Sequence, residues 1–147
     1  MHLPFSLDVA GRAVLVVGDD GRAEYKAAVL RDAGADVTRV TPAAYRCGAA
    51  GRYWLVITAA LPAENAVVFQ DAQAAGVWCN AVDDPEHCSV LFPAVVRRGP
   101  VTVAVSTGGS SPAASRAWSR SAMMRGITRS DSERAWPHVG RAGHVMA

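Results

Sequence analysis

Short apolar runs alternate with helical patterns along residues 12 to 82, and this alternation limits the chain to few folds. The run "RAVLVV" (12–17) ends at Gly18, a helical pattern follows over 22–33, and Gly34 precedes the run "DVTRVT" (36–41). A buried parallel strand is a continuous apolar run, whereas a helix repeats its apolar positions every three or four residues. The order therefore predicts a βαβ unit, from which parallel sheets are built.

The rest of the chain extends this pattern. We predict a third strand at "YWLVIT" (53–58), a helix over 63–75 after Pro62 and a fourth strand at "GVWCNAV" (76–82). Two further β segments are expected at "SVLFPAVV" (89–96) and "PVTVAVS" (100–106), before a glycine-rich turn and a helix. The predicted fold class is α/β. It has a Rossmann-like, doubly wound parallel sheet in residues 1–88, a small, truncated β/helical segment at 89–118, and a weakly ordered basic tail at 119–147.

The composition is that of one globular domain with a real core. The chain has 147 residues, of which 50% are hydrophobic, and a net charge of +2. No apolar run approaches the roughly 18 residues of a membrane helix, and the start lacks the features of a signal peptide, so we expect a cytoplasmic protein without membrane contact. Cys47, Cys79 and Cys88 are odd in number and form no C-x-x-C pair, which favours reduced thiols over disulfides or structural zinc.

Arginines are concentrated in the second half of the chain. Only Asp131 and Glu133 oppose them from Arg97 onward. Such asymmetry fits either an anionic partner or an ordinary solvated surface, and charge alone leaves both open. A nucleic-acid partner is not expected, because the stretch lacks interleaved aromatic residues and any recognition motif.

The turn after the first strand partly matches the dinucleotide-binding pattern G-x-G-x-x-G/A. Gly18 and Ala23 occupy the first and third positions, but Asp20 replaces the second glycine and brings a negative charge to the phosphate site. Gly21 offers the loop another path, and Arg22 restores one positive charge. From the turn alone, nucleotide binding and a plain βαβ crossover remain alternatives.

The end of the second strand does not decide between nucleotides. Arg39, Thr41 and Pro42 lie where a ribose-binding Asp or Glu is usual, which supports neither NAD nor NADP.

Three longer stretches resemble a known family. They are "LPFSLDVAGRAVLVVG" (3–18), "GADVTRVTP" (34–42) and "CNAVDDPEHCSVLFPAVVRRGPVTVAVSTGGSSP" (79–112). Together they are similar to the N-terminal module of siroheme synthase, a family of precorrin-2 dehydrogenases that also act as sirohydrochlorin ferrochelatases. The resemblance covers residues 3 to 116, and its second half is long and specific.

The resemblance implies NAD-dependent oxidation of precorrin-2 to sirohydrochlorin, followed by insertion of ferrous iron as a substrate. It assigns Asp83 as the catalytic residue and as a metal contact. The implied cofactor-binding residues are Gly18, Asp20, Gly21, Arg22, Ala23, Thr41, Pro42, Ala43 and Thr58. The implied contacts to the anionic tetrapyrrole are Asn80, Arg97, Arg98, Ser106, Thr107, Gly108, Gly109, Ser110 and Arg116. His87 and Cys88 follow Asp83 closely and are further metal-ligand candidates, although the family pattern requires neither.

The sequence departs from the family's typical start "LP(I/L)FLDLKGRxVLVVGGGxVAxRK" at Asp19 and Asp20. The segment between Pro42 and the third strand is also shorter than usual, and the helical extension that helps to build a homodimer is not recognisable. If a homodimer forms, we expect it to use the β segments within 89–106. Two hypotheses follow: a compact dehydrogenase, or a degenerate or chelatase-only relative that binds tetrapyrrole or metal.

Overall fold

A four-stranded parallel sheet is the centre of the protein. The structure is a computed structural model that describes residues 3–98 and 101–108 and positions 111, 114 and 117. The strands are β1 (Ala13–Val17), β2 (Asp36–Val40), β3 (Leu55–Thr58) and β4 (Trp78–Ala81), in the order β2-β1-β3-β4. All three pairings are parallel, which confirms the predicted fold class.

Two helices cover opposite faces of this sheet. They are α1 (Gly21–Asp32) and α2 (Pro62–Ala74). Ala23, Ala27 and Leu30 of α1 pack with one set of strand residues, whereas Val68 and Ala72 of α2 pack with the other. Successive side chains of a strand point to opposite faces, so the apolar run of β1 serves both layers. The sheet is therefore doubly wound, as the continuous apolar runs predict.

The short connection between β2 and β3 is fixed to α2 by one carboxylate. It contains two 3₁₀ turns, Pro42–Ala44 and Ala50–Arg52. The Tyr45 hydroxyl donates to Asp71, and the backbone N–H groups of Gly48 and Ala50 donate to the same carboxylate at 2.8 and 3.3 Å. Burial raises the pKa of Asp71, but these three donors outweigh it and lower the pKa overall. This short loop is thus held to α2, although it contains no α-helix or strand.

The chain returns along the outer edge of β4 after Asp84. The Ser89 and Val90 N–H groups donate to the Cys79 carbonyl at 2.8 and 3.2 Å, and the Ser89 hydroxyl accepts from the Cys79 N–H at 2.8 Å. The Cys88 thiol contacts both the N–H and the carbonyl of Ala81 at 3.2 Å. These contacts satisfy the outward-facing backbone groups of β4.

A second compact unit begins at Pro93, after the first ends at Phe92. It contains β5 (Ala94–Arg98) and β6 (Val101–Val105), which pair antiparallel from Ala94↔Val105 to Arg98↔Val101. The predicted start of β5 at residue 89 is wrong, because Ser89 and Val90 bond to β4 and Pro93 has no N–H for a ladder. The predicted tail at 119–147 lies outside the described residues. Among the residues that are described, no helix is long and apolar enough to cross a membrane.

Candidate functional site

The carboxyl ends of the four parallel strands place the predicted residues of the first unit along one edge of the sheet. Gly18 follows β1, Thr41 follows β2, and Asp83 follows β4 by two residues. The Gly18 N–H donates to the Val40 carbonyl at 2.9 Å, which joins the ends of the first two strands. Ligands of open α/β sheets bind at this edge, where the strand order reverses direction. Here that point lies between β1 and β3.

Gly18 is held in a conformation and a space that only glycine satisfies. Its φ is +154°, and a Cβ atom added to it would lie 2.7 Å from the Ala23 Cβ and 2.8 Å from the Ala59 carbonyl oxygen. Both distances are shorter than real Cβ contacts. The first strand, the helix and the end of β3 therefore meet closely at this residue.

Asp20 caps the N-terminus of α1. One carboxylate oxygen accepts from the backbone N–H groups of Arg22 and Ala23 at 2.9 and 3.0 Å, and the other accepts from the Arg22 Nε at 2.7 Å. The hydrogen bond from Ala23, followed by the one from the Arg22 side chain, lowers the pKa of this carboxyl. Helix N-termini bind anions because their first N–H groups have no partner inside the helix. In this protein the Asp20 carboxylate occupies the position of that anion.

Arg39 holds the backbone of the turn from β2, although it is not among the predicted site residues. Its Nε donates to the Gly18 carbonyl at 3.0 Å, its Nη2 lies 3.4 Å from the Asp20 carbonyl, and its Nη1 pairs with Glu24. The only sequence feature that pointed to Arg39 is its position near the end of β2, where a ribose-binding Asp or Glu is usual. Its partners, at sequence separations of 15 to 21, become visible only in the fold.

Asp83 has the only left-handed conformation among the described non-glycine residues, with φ of 61°. Its side chain is 71% exposed, and its carboxylate lies 3.5 Å from the Arg22 Nη1. A non-glycine residue rarely adopts this conformation, and Asp is among the residue types that tolerate it. The backbone turn therefore leaves this carboxylate largely exposed to solvent beside the glycine turn, in contact with Arg22.

Asp84, directly after Asp83, joins neighbouring elements. Its carboxylate accepts from the Asn65 side chain of α2 at 3.2 Å and lies 2.9 Å from the His87 Nδ1. His87 is thus paired with Asp84 rather than with Asp83. Within the described part of the chain, no group of three or more His, Cys, Asp or Glu residues is arranged to hold a metal ion.

Lys26, on α1 one turn after Arg22, is a second residue that the sequence reasoning missed. Its Nζ lies 4.2 Å from the centre of the Phe92 ring, and its side chain is partly buried. Loss of solvent lowers its pKa, while the charges of Asp83 and Cys88 act in the opposite direction. No carboxylate lies within ion-pair distance of it among the described residues. Lys26 is therefore a cation near Asp83 with spare hydrogen-bonding capacity.

Two predicted contact residues are buried in this structure. Thr58 is fully buried and donates its hydroxyl to the Asn65 Oδ1 at 2.8 Å. Asn80 is 5% exposed and donates to the Val90 carbonyl at 2.9 Å. Thr41 accepts from the Ala44 N–H at 3.3 Å, which caps the turn that contains Pro42 and Ala43. In this conformation Thr58 and Asn80 hold loops in place and present little or no surface to a ligand.

The predicted tetrapyrrole contacts beyond Phe92 belong to the second unit. Arg97 is exposed on β5. The Ser106 hydroxyl accepts from the Gly108 N–H at 3.2 Å, and the Thr107 hydroxyl accepts from the Ser111 N–H at 3.0 Å. The Arg98 side chain and the residues Gly109, Ser110 and Arg116 lie outside the part of the chain that is described.

Residues 5–94 match a family of domains described as "Putative NAD(P)-binding". Siroheme synthase 2 of Serratia proteamaculans is 38% identical over 78% of this chain, and siroheme synthase of Tolumonas auensis is 40% identical over 76%. The chain belongs to this putative NAD(P)-binding family. The chain, hereafter the module, spans less than a third of those relatives, 29% and 28% of their lengths. A solved structure titled "SirC, precorrin-2 dehydrogenase" shares the module's fold, with a TM-score of 0.66 and 21% identity over 85% of this chain and 71% of that one.

The residues of the turn fit a dinucleotide except at one position. Gly18 provides the close backbone approach and Ala23 the small residue at the helix–strand contact that such a site requires. The N–H groups of Arg22 and Ala23 point to where a pyrophosphate would bind, and Asp20 now holds them. Binding of a dinucleotide therefore requires the Asp20 side chain to leave these two amides.

Proposed function

We propose that this module carries out the NAD-dependent oxidation of precorrin-2 to sirohydrochlorin in siroheme formation. Its similarity to siroheme synthases over more than three quarters of the chain supports this step. The observation that carries the proposal is the exposed Asp83 carboxylate in a left-handed turn, at the edge of the sheet where the nucleotide turn lies. Strained residues of this kind cluster at functional sites.

The residues divide the work between holding the cofactor and accepting a proton. Bound NAD supplies a hydride acceptor. Gly18 and the first N–H groups of α1 would hold its phosphates, and the segment Thr41 to Ala43 borders the site at the end of β2. Loss of a hydride and a proton makes the oxidised macrocycle, and we assign the Asp83 carboxylate as the acceptor of that proton. Its exposure leaves it accessible to a large substrate and to water, which removes the proton afterwards.

The substrate's carboxylates need cations, and the module offers several. Lys26 feels the charge of Asp83 and has no ion-pair partner among the described residues, and Arg97 is exposed on β5. Arginine binds carboxylates in a two-pronged manner, whereas lysine acts as a point charge. We propose Lys26 as a further contact to the substrate's carboxylates, in addition to the contacts that the family resemblance implies: Asn80, Arg97, Arg98, Arg116 and the segment Ser106 to Ser110.

The test compares two aspartates that differ in position but not in charge. Asp83→Asn should lower the rate of precorrin-2 oxidation by about 10²-fold or more, the usual effect of removing a positioned acid or base, with folding unchanged. Asp19→Asn is the matched control, because Asp19 is also exposed and lies in the neighbouring turn between β1 and α1. Equal turnover in the two variants would remove Asp83 from the mechanism.

A second function is favoured by one observation, the cap that Asp20 places on α1. If Asp20 never leaves the amides of Arg22 and Ala23, the module is a degenerate or chelatase-only relative that binds tetrapyrrole or metal. Insertion of ferrous iron into sirohydrochlorin without NAD, in a protein that does not bind NAD, would favour chelation over oxidation. Asp83 would then act as the contact for the incoming iron.

We also propose that the module forms a homodimer through the β segments within 89–106. The hairpin of β5 and β6 alternates partly buried and exposed residues along β6, as a strand with one covered face does. Sedimentation at micromolar concentration tests this, and a monomer there would contradict it.

A further inference from the structure

Three charged side chains form a continuous chain from the nucleotide turn to Asp83. The Arg22 Nε lies 2.7 Å from one Asp20 oxygen, while its Nη1 lies 3.5 Å from Asp83. The other Asp20 oxygen holds the backbone N–H groups of Arg22 and Ala23. One guanidinium thus contacts both the carboxylate that occupies the phosphate site and the carboxylate proposed to accept the proton.

The sequence places an aspartate and an arginine two residues apart in this turn, at Asp20 and Arg22. An aspartate alone would repel the phosphates of a nucleotide. An arginine two residues later neutralises that charge and is long enough to reach Asp83.

We propose that Arg22 is a positioning residue that links occupancy of the nucleotide turn to Asp83. Without nucleotide, Asp20 acts as an internal anion on the α1 amides, and Arg22 divides its donors between Asp20 and Asp83. A nucleotide phosphate competes with Asp20 for the same two amides. Displacement of Asp20 releases the Arg22 Nε, and the contact between Arg22 and Asp83 changes as a result. This inference rests on the proposed function, since it takes Asp83 as the proton acceptor.

The first measurement is NAD affinity by calorimetry. Asp20→Asn keeps a residue that can cap the helix but removes the charge, and it should bind NAD at least about fivefold more tightly, because the internal anion is weakened. Asp19→Asn removes the same charge one residue earlier, where no ion pair is present among the described residues, and should change the affinity by less than about twofold. Equal tightening in both variants would reveal only a general charge effect and would overturn the role of Asp20.

The second measurement follows carboxyl ¹³C resonances of Asp20 and Asp83 during NAD addition at constant pH. Both resonances should move in the wild-type protein. In Arg22→Met the Asp20 resonance should still move, but the Asp83 response should be lost, and Arg22→Lys should restore part of it. An Asp83 response of wild-type size in Arg22→Met would overturn the link, as would an Asp20 resonance that millimolar NAD leaves unmoved.

Turnover measured on the same samples separates this inference from the proposed function. Coupled resonances without oxidation of precorrin-2 would refute the proposed function and leave the link intact. Oxidation of precorrin-2 together with an Asp83 resonance that does not move on NAD addition would refute the link and leave the proposed function intact.

Discussion

Replacement of Gly18 by alanine should severely destabilise the first unit. The new Cβ would lie 2.8 Å from the Ala59 carbonyl oxygen and 2.7 Å from the Ala23 Cβ, and neither atom is the flexible end of a side chain. Its φ of +154° adds backbone strain. Strain of this kind costs about 1–3 kcal/mol, and overpacking in a core costs about as much again. We therefore expect a loss of roughly 2–6 kcal/mol, a large part of the about 5–15 kcal/mol that stabilises a typical domain.

Chemical denaturation of Gly18→Ala and Gly21→Ala measures this difference directly. Gly21 is three residues away, at the start of α1, and an added Cβ meets no atom within 4 Å there. Gly21→Ala should leave the free energy of unfolding within about 0.5 kcal/mol of the wild type or slightly higher, because alanine restricts the unfolded chain. If Gly18→Ala also stays within about 1 kcal/mol, the close contact among β1, α1 and β3 does not exist as described.

Other contacts lead to three further predictions. Lys26→Met should weaken binding of sirohydrochlorin about tenfold in a fluorescence titration without lowering stability, while Lys26→Arg should bind nearly as well as the wild type. Equal binding by the wild type and both variants would exclude Lys26 from the substrate site. Tyr45→Phe removes one of the three donors to Asp71 and should lower the free energy of unfolding by about 1–2 kcal/mol at neutral pH. Because the fold lowers the pKa of Asp71 below its ordinary 3.8, this stabilisation is present above that value and is lost as the pH falls through the lower folded pKa, so the difference between the two proteins should shrink in acid. Iodoacetamide should label the exposed Cys47 before Cys79, because burial raises the pKa of Cys79 to about 12. Mass spectrometry of the native protein over time measures both rates, and equal labelling rates at the two cysteines would contradict this.

The sequence predicted the fold where local pattern and tertiary structure agree. Each strand of the parallel sheet is a continuous apolar run, and glycines mark the ends of β1 and α1, so strand and helix positions differ from prediction by only one or two residues. The predicted start of β5 was wrong because the hydrogen bonds of Ser89 and Val90 to β4 are tertiary, whereas the apolar run 90–92 by itself has the composition of a strand.

The site was less predictable because charged side chains take their partners from distant positions. The sequence indicated that Asp20 brings a negative charge to the phosphate site. Asp is also a favoured N-cap residue, however, and that preference indicates its role here as the N-cap of α1. Arg39 and Lys26 act through contacts with residues 15 to 66 positions away, and no local pattern identifies them. The sequence did place Gly18 and Asp83 correctly at the edge of the sheet, since both follow strand ends.

The return of the chain along β4 has a consequence for the protein in a crowded cell. An open strand edge is a template onto which another molecule can add its own strand, and sheets that leave such edges bare tend to aggregate. Here Cys88, Ser89 and Val90 use the outward N–H and carbonyl groups of Cys79 and Ala81. That side of the sheet is closed to edge-to-edge growth, so the module can be made at high concentration, or beside other β-rich domains, without pairing with them at β4.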